Sequence, residues 1–100
     1  MHRFFLHNDE IHDAAELTIC AGQTGYLTGW GVFSTIRVYD GILFAWERHY
    51  ARMKHDAELM RVPFPADPKW LEERLYRLIA ANDAKNATLR VNVVRNHGGL

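Results

Sequence analysis

The chain has little of what would announce a disulfide scaffold, a nucleic-acid partner or a membrane. Its 100 residues include one cysteine, Cys20, so no internal disulfide can form and a reducing, cytoplasmic setting is the expectation. Twelve Lys and Arg balance twelve Asp and Glu, which leaves no basic excess for nucleic acid or an anionic membrane surface. The opening Met-His-Arg-Phe-Phe-Leu-His turns polar at Asn8, too short an apolar run for a signal core or a membrane-spanning helix. Six histidines are present, but His2, His7 and His12 are five apart and His49 and His55 six apart. None shows the i, i+4 spacing of a helical zinc pair, so no metal site is expected. The glycine-rich stretch from Gly22 to Gly31 lacks a Walker lysine and a dinucleotide-type spacing. Lysine is scarce as well, limited to Lys54, Lys69 and Lys85.

What remains is enough for one modest core: 48% of the residues are hydrophobic, and a chain of this size buries roughly 60 to 70% of its unfolded surface. Residues 3–7 are aromatic-rich and close on Asn8-Asp9, which reads as a strand entering a tight turn. Residues 32–39 alternate, with Val32, Ser34, Ile36 and Val38 on one face and Phe33, Thr35, Arg37 and Tyr39 on the other. Asp40-Gly41 follows, a pair suited to a type I′ turn, so residues 42–45 should return antiparallel. Trp46, Tyr50, Met53, Ala57 and Met60 then recur at helical spacing, which predicts a helix over 46–61 stopped by Pro63 and Pro65. Asp67-Pro68 starts a second helix whose apolar face is Leu71, Leu75, Leu78 and Ile79, and Glu73 can pair with Arg77 across one turn. Residues 88–94 resume period two as a last strand. The fold class is α+β: a small antiparallel sheet with two flanking helices, in a single domain.

Two groups of residues could bind a ligand. On the first helix the charges of Glu47, Lys54, Glu58 and Arg61 mark the solvated side, and Arg52 lies at about 240° from Trp46, away from them. A cation so placed, with His49 before it and Asp56 after it, suits an anion. The plain alternative is a solvated Arg52 to Asp56 pair contributing about 0.3 to 0.5 kcal/mol. On the strand, Phe33 and Arg37 share a face that combines a ring with a guanidinium, fit for a substrate with apolar and anionic parts. The alternative there is a strand side that simply faces water. Arg90, on the polar face of the last strand, needs no ligand either. His97 has the chemical type of an acid or base, with no partner visible.

The segment Gly29-Trp30-Gly31-Val32-Phe33-Ser34-Thr35-Ile36-Arg37, with the hairpin after it and His49-Tyr50-Ala51-Arg52-Met53, resembles the N-terminal signature of the class IV (fold-type IV) pyridoxal-phosphate enzymes. That family comprises branched-chain and D-amino-acid aminotransferases and aminodeoxychorismate lyase. The resemblance implies the small N-terminal domain of such an enzyme across residues 1–100, with the catalytic C-terminal domain lying beyond Leu100. Arg52, matching the arginine of the family's His-x-x-Arg-Leu, would bind the phosphate of pyridoxal 5'-phosphate. Phe33, Arg37 and Arg90 would lie toward an amino-acid or 2-oxo-acid substrate. In that family a neighbouring subunit completes the pocket, so a homodimer is implied.

The family commonly reads Gly-Asp-Gly-x-Phe-Glu-Thr, and Trp30 and Ser34 stand here at its two acidic positions. Ser34 is similar to the lyase branch, where a small hydroxyl residue occurs. Pyridoxal chemistry also needs a lysine with a depressed pKa. Lys54 on a solvated helix side, Lys69 in a first helical turn and Lys85 in a polar loop do not offer one, so no catalytic residue is assigned within the chain. Three readings follow: an aminotransferase, a carbon-carbon or carbon-oxygen lyase of the aminodeoxychorismate type, or a non-catalytic binding or assembly domain that kept the fold.

Overall fold

The computed structural model describes residues 2–16 and 29–95. Cys20, Gly22 and His97, named above, lie outside the described residues. The order is β1 (Phe4–His7), β2 (Glu10–Asp13), β3 (Gly31–Tyr39), β4 (Ile42–Leu43), α1 (Trp46–Met60), α2 (Pro68–Ala81) and β5 (Ala87–Val94). The expected α+β arrangement is present, but the strands form two sheets rather than one: an antiparallel β1–β2 hairpin, and a three-stranded antiparallel sheet in the order β4-β3-β5.

Each hairpin follows from its turn. Asn8 and Asp9 both take positive φ, as do Asp40 and Gly41, the geometry a two-residue type I′ connection needs. The second hairpin returns for a shorter distance than residues 42–45, because Ala45 adopts a left-handed conformation and its carbonyl accepts from the amides of Arg48 and His49, opening α1. β3 therefore pairs with β4 only at Val38 and Tyr39, with one further bond from the Phe44 amide to the Arg37 carbonyl. Its other edge pairs with β5 over eight residues, Gly31 to Val38 against Val94 to Ala87. Among the described residues, the β3 edge from Gly31 to Ile36 on the side away from β5 has no strand beside it.

The alternation of β3 holds throughout: Val32, Ser34, Ile36 and Val38 are buried and Phe33, Thr35, Arg37 and Tyr39 exposed. Leu89 and Val91 of β5 join the inner face, and α1 covers it with Trp46, Tyr50, Met53 and Ala57. Leu71, Leu75 and Ile79 of α2 complete the core, with Leu78 partly buried against it. Each large apolar side chain so buried contributes roughly 1.5 to 3 kcal/mol. Met60, expected in the α1 stripe, is instead 43% exposed. The helix has already reached its end there. Arg61 turns left-handed and its amide bonds back to the Ala57 and Glu58 carbonyls, so the backbone stops α1 before Pro63 could.

α2 opens as its sequence indicates, with the Asp67 carboxylate accepting from the Lys69 amide and Pro68 in the first turn. The expected Glu73 to Arg77 pair does not form. Asp9 in the β1–β2 turn draws Arg74 (2.7 Å) and Arg77 (3.4 Å) to itself, and the Asn82 side chain pairs with both the amide and the carbonyl of Phe4. These contacts dock the small hairpin on α2.

Candidate functional site

The inner face of β3 contains one polar side chain, Ser34, which is 1% exposed. Its hydroxyl lies 2.7 Å from His49 Nδ1 and accepts from Arg52 Nη2 at 3.3 Å. His49 and Arg52 are three residues apart on α1 and so project from the same flank of the helix toward β3. His49 is partly desolvated, and that burial, followed by the charge of Arg52, holds its imidazole pKa below the usual 6.5. The ring is therefore neutral near pH 7.

Arg52 differs from its expected placement. Helical geometry turned it away from the charged side of α1, yet the residue is exposed, with its guanidinium reaching Ser34. A helical projection places a residue relative to the helix's own stripe and says nothing of what lies alongside. Here Arg52 sits where α1 faces Ser34, on the stretch of β3 that lacks a second neighbouring strand. The simple Arg52 to Asp56 pair is absent: among the described residues no carboxylate oxygen lies within 4.0 Å of the guanidinium. Its charge is oriented by a neutral hydroxyl with no carboxylate partner among the described residues, the condition in which a guanidinium can hold an oxyanion.

On the opposite face the register sets Thr35 against Arg90 and Phe33 against Asn92. The Arg90 guanidinium lies 4.3 Å from the centre of the Phe33 ring, a cation–π contact, and its Nε donates to Asn92 at 3.4 Å. Phe33 remains 57% exposed. Arg37 extends from the same face opposite Thr88, so Phe33, Arg37 and Arg90 share one surface while Arg52 reaches the strand from behind. A recess of about 330 Å³ is lined by Gly31, Val32 and Phe33 from β3 and by Asp56, Leu59 and Met60 from α1. Ring, backbone edge and helix flank thus meet beside one opening. Gly31 is required there: a Cβ would fall 2.6 Å from the Val93 carbonyl oxygen.

Trp30, the unusual residue before this glycine, has a structural role that its sequence position does not disclose. Its indole N–H donates to the Met60 carbonyl at 2.6 Å, and Arg95 stacks on the ring at 4.8 Å while donating to the Arg61 carbonyl at 2.7 Å. Together they tie the start of β3 and the end of β5 to the C-terminal end of α1, satisfying carbonyls that a helix leaves open. The sequence signal for Ser34 was present, since a hydroxyl within a Val-x-Ser-x-Ile-x-Val stripe must be buried and partnered. The sequence had no comparable signal for Trp30 and Arg95, whose partners are 30 and 34 residues away.

Known proteins resemble this chain over most of its length. The family described as Amino-transferase class IV matches residues 31–100. The chain belongs to this family. D-alanine aminotransferase of Bacillus licheniformis is 29% identical over 90 residues, which are 90% of this chain and 32% of that protein. Aminodeoxychorismate lyase of Bacillus subtilis is 32% identical over 71 residues, 69% of this chain and 24% of that protein. Among solved structures, the branched-chain amino acid aminotransferase of Escherichia coli superposes with a TM-score of 0.89 over 99% of this chain and 34% of its own, at 21% identity, a likeness of fold. The chain thus spans about a third of the length of the class IV relatives it matches.

Proposed function

We propose that this chain is the N-terminal small domain of a pyridoxal 5'-phosphate-dependent aminotransferase that passes an amino group from an amino acid to a 2-oxo acid, acting as a homodimer. The observation that carries the reading is Arg52, fixed on Ser34 and unpaired by any carboxylate among the described residues. The donor set fits a phosphate: a permanent cation, held by a hydroxyl that in turn contacts an imidazole, with no carboxylate oxygen within 4.0 Å of the guanidinium among the described residues. Arg52 would hold the phosphate. When bound, pyridoxal 5'-phosphate supplies the electron sink that makes a substrate's α-hydrogen removable.

The outer face of β3 and β5 then has the substrate end of the work. Phe33 offers an exposed ring, Arg90 is held over it by the cation–π contact, and Arg37 stands on the same face. A ring flanked by guanidinium groups suits an amino acid, whose carboxylate takes a cation and whose side chain takes the apolar surface. Lys54, Lys69 and Lys85 are all exposed, whereas an amine that forms a Schiff base needs an enclosed pocket. We assign the amine that binds the cofactor covalently to a second, catalytic domain.

Ser34 and the Bacillus subtilis relative favour a second reading, an aminodeoxychorismate lyase-type enzyme on the same site. Transamination leaves the cofactor as pyridoxamine phosphate, whereas elimination regenerates it. Incubating the complete enzyme with single amino-acid donors and following pyridoxamine phosphate by absorbance therefore separates them. Its formation with an amino-acid donor is the expected result, and pyruvate release from aminodeoxychorismate without it would select the lyase.

A further inference from the structure

Ser34 has one hydroxyl proton, and its two neighbours determine where that proton goes. A guanidinium only donates, so the 3.3 Å contact with Arg52 uses a lone pair of Ser34 Oγ. Two arrangements remain for the 2.7 Å contact with His49 Nδ1. If Nδ1–H donated, the Ser34 oxygen would accept twice and its own proton would have no acceptor among the described residues, in a site 1% exposed. A buried donor left without a partner costs its full desolvation. If the Ser34 hydroxyl donates to a bare Nδ1, every group is satisfied. Burial and the adjacent Arg52 both disfavour a charged imidazole, and β3 presents only the neutral Ser34 to the ring among the described residues.

We infer that Ser34 and His49 form a positioning pair for Arg52: His49, neutral and protonated at Nε2, draws the Ser34 proton to Nδ1 and so turns the Ser34 oxygen toward the guanidinium. Arg52 is thereby aimed beside the β3 edge with no carboxylate within 4.0 Å to neutralise it among the described residues. The inference rests on the reading of Arg52 as the phosphate-holding cation. Within the cluster Ser34 orients Arg52, and His49 orients Ser34. A carboxylate in place of Ser34 would orient the guanidinium equally well but would compete with an anion for its charge.

The tautomer is measurable directly. Long-range proton–nitrogen correlation spectra of the complete enzyme labelled with ¹⁵N-histidine, recorded before any cofactor is added, should show His49 protonated at Nε2 alone near pH 7. A proton on Nδ1 overturns the inference. Substitutions at His49 and Arg52 test the consequence through retention of added pyridoxal 5'-phosphate, followed by its absorbance after gel filtration. His49→Ala removes the acceptor and should weaken retention roughly tenfold, the effect of one misdirected hydrogen-bond donor. His49→Asn places an amide oxygen near the former Nδ1 and should restore retention to within about twofold. Gln, whose amide reaches the Nε2 position instead, should not. If folded His49→Asn protein were as weak as His49→Ala while Arg52→Ala abolished retention, the pair would be refuted and the phosphate reading would stand. Unchanged retention in Arg52→Ala would refute the phosphate reading itself.

Discussion

The two faces of β3 come from one run of nine residues and solve opposite problems. The inner face, Val32, Ser34, Ile36 and Val38, is buried, so any polar group on it must be matched within the protein. The outer face, Phe33, Thr35, Arg37 and Tyr39, is exposed, so polar groups are tolerated there and the apolar rings are the unusual element. A single hydroxyl inside is therefore more informative than two guanidinium groups outside. Ser34 leads directly to His49 and Arg52, whereas Arg37 and Arg90 acquire meaning from the ring of Phe33 and from family membership.

The contrast predicts different kinds of damage. Ile36→Ala, at a position with no exposed surface, should lower stability by about 2 to 5 kcal/mol by loss of burial plus cavity formation. Denaturant unfolding measures it, and a loss no larger than that of an outer-face variant would break the comparison. Ser34→Ala removes a matched hydroxyl and leaves the His49 and Arg52 contacts unmade, at a cost of about 1 to 2 kcal/mol. Phe33→Ala should change stability by less than about 1 kcal/mol, the scale of a partly exposed cation–π contact. The proposed substrate contact puts its expected effect in KM, so a stability loss as large as that of Ile36→Ala would contradict that proposal.

The smallest effect expected is a pH slope. Because burial first, and Arg52 second, hold His49 below its ordinary pKa of 6.5, the unfolded chain binds a proton more readily than the folded one. The stabilisation is fully present above about 6.5 and is lost as pH falls through the lower, folded-state value. The melting temperature of the parent protein should accordingly fall more than that of His49→Asn between pH 7 and pH 5. Parallel curves would mean that His49 titrates alike in both states.

Local signals read well from the sequence. The two hairpins, the alternation of β3 and the starts of both helices depend on neighbouring residues, and Asp40-Gly41 or Asp67-Pro68 states its geometry within two positions. Contacts spanning long loops were not legible. Asp9 takes Arg74 and Arg77 from the expected in-helix pair, and Asn82 ties down Phe4 from 78 residues away. The contact of Arg52 with Ser34 belongs to the same class, since it spans 18 residues. The identities of Phe33, Arg37, Arg90 and Arg52 were readable as candidates. That Phe33 and Arg90 touch while Arg52 reaches the strand from its other side follows only from the register of β3 with β5 and the course of α1.

The most direct measurement is cofactor retention in Arg52→Ala, made on the complete enzyme together with its thermal unfolding. A charge-assisted contact of this kind contributes about 1.5 to 3 kcal/mol, so pyridoxal 5'-phosphate should be held roughly 10- to 150-fold more weakly while cofactor-free protein melts nearly as before. Retention equal to that of the parent would contradict the account, because the cation that Ser34 orients on the inner face of β3 would then hold nothing.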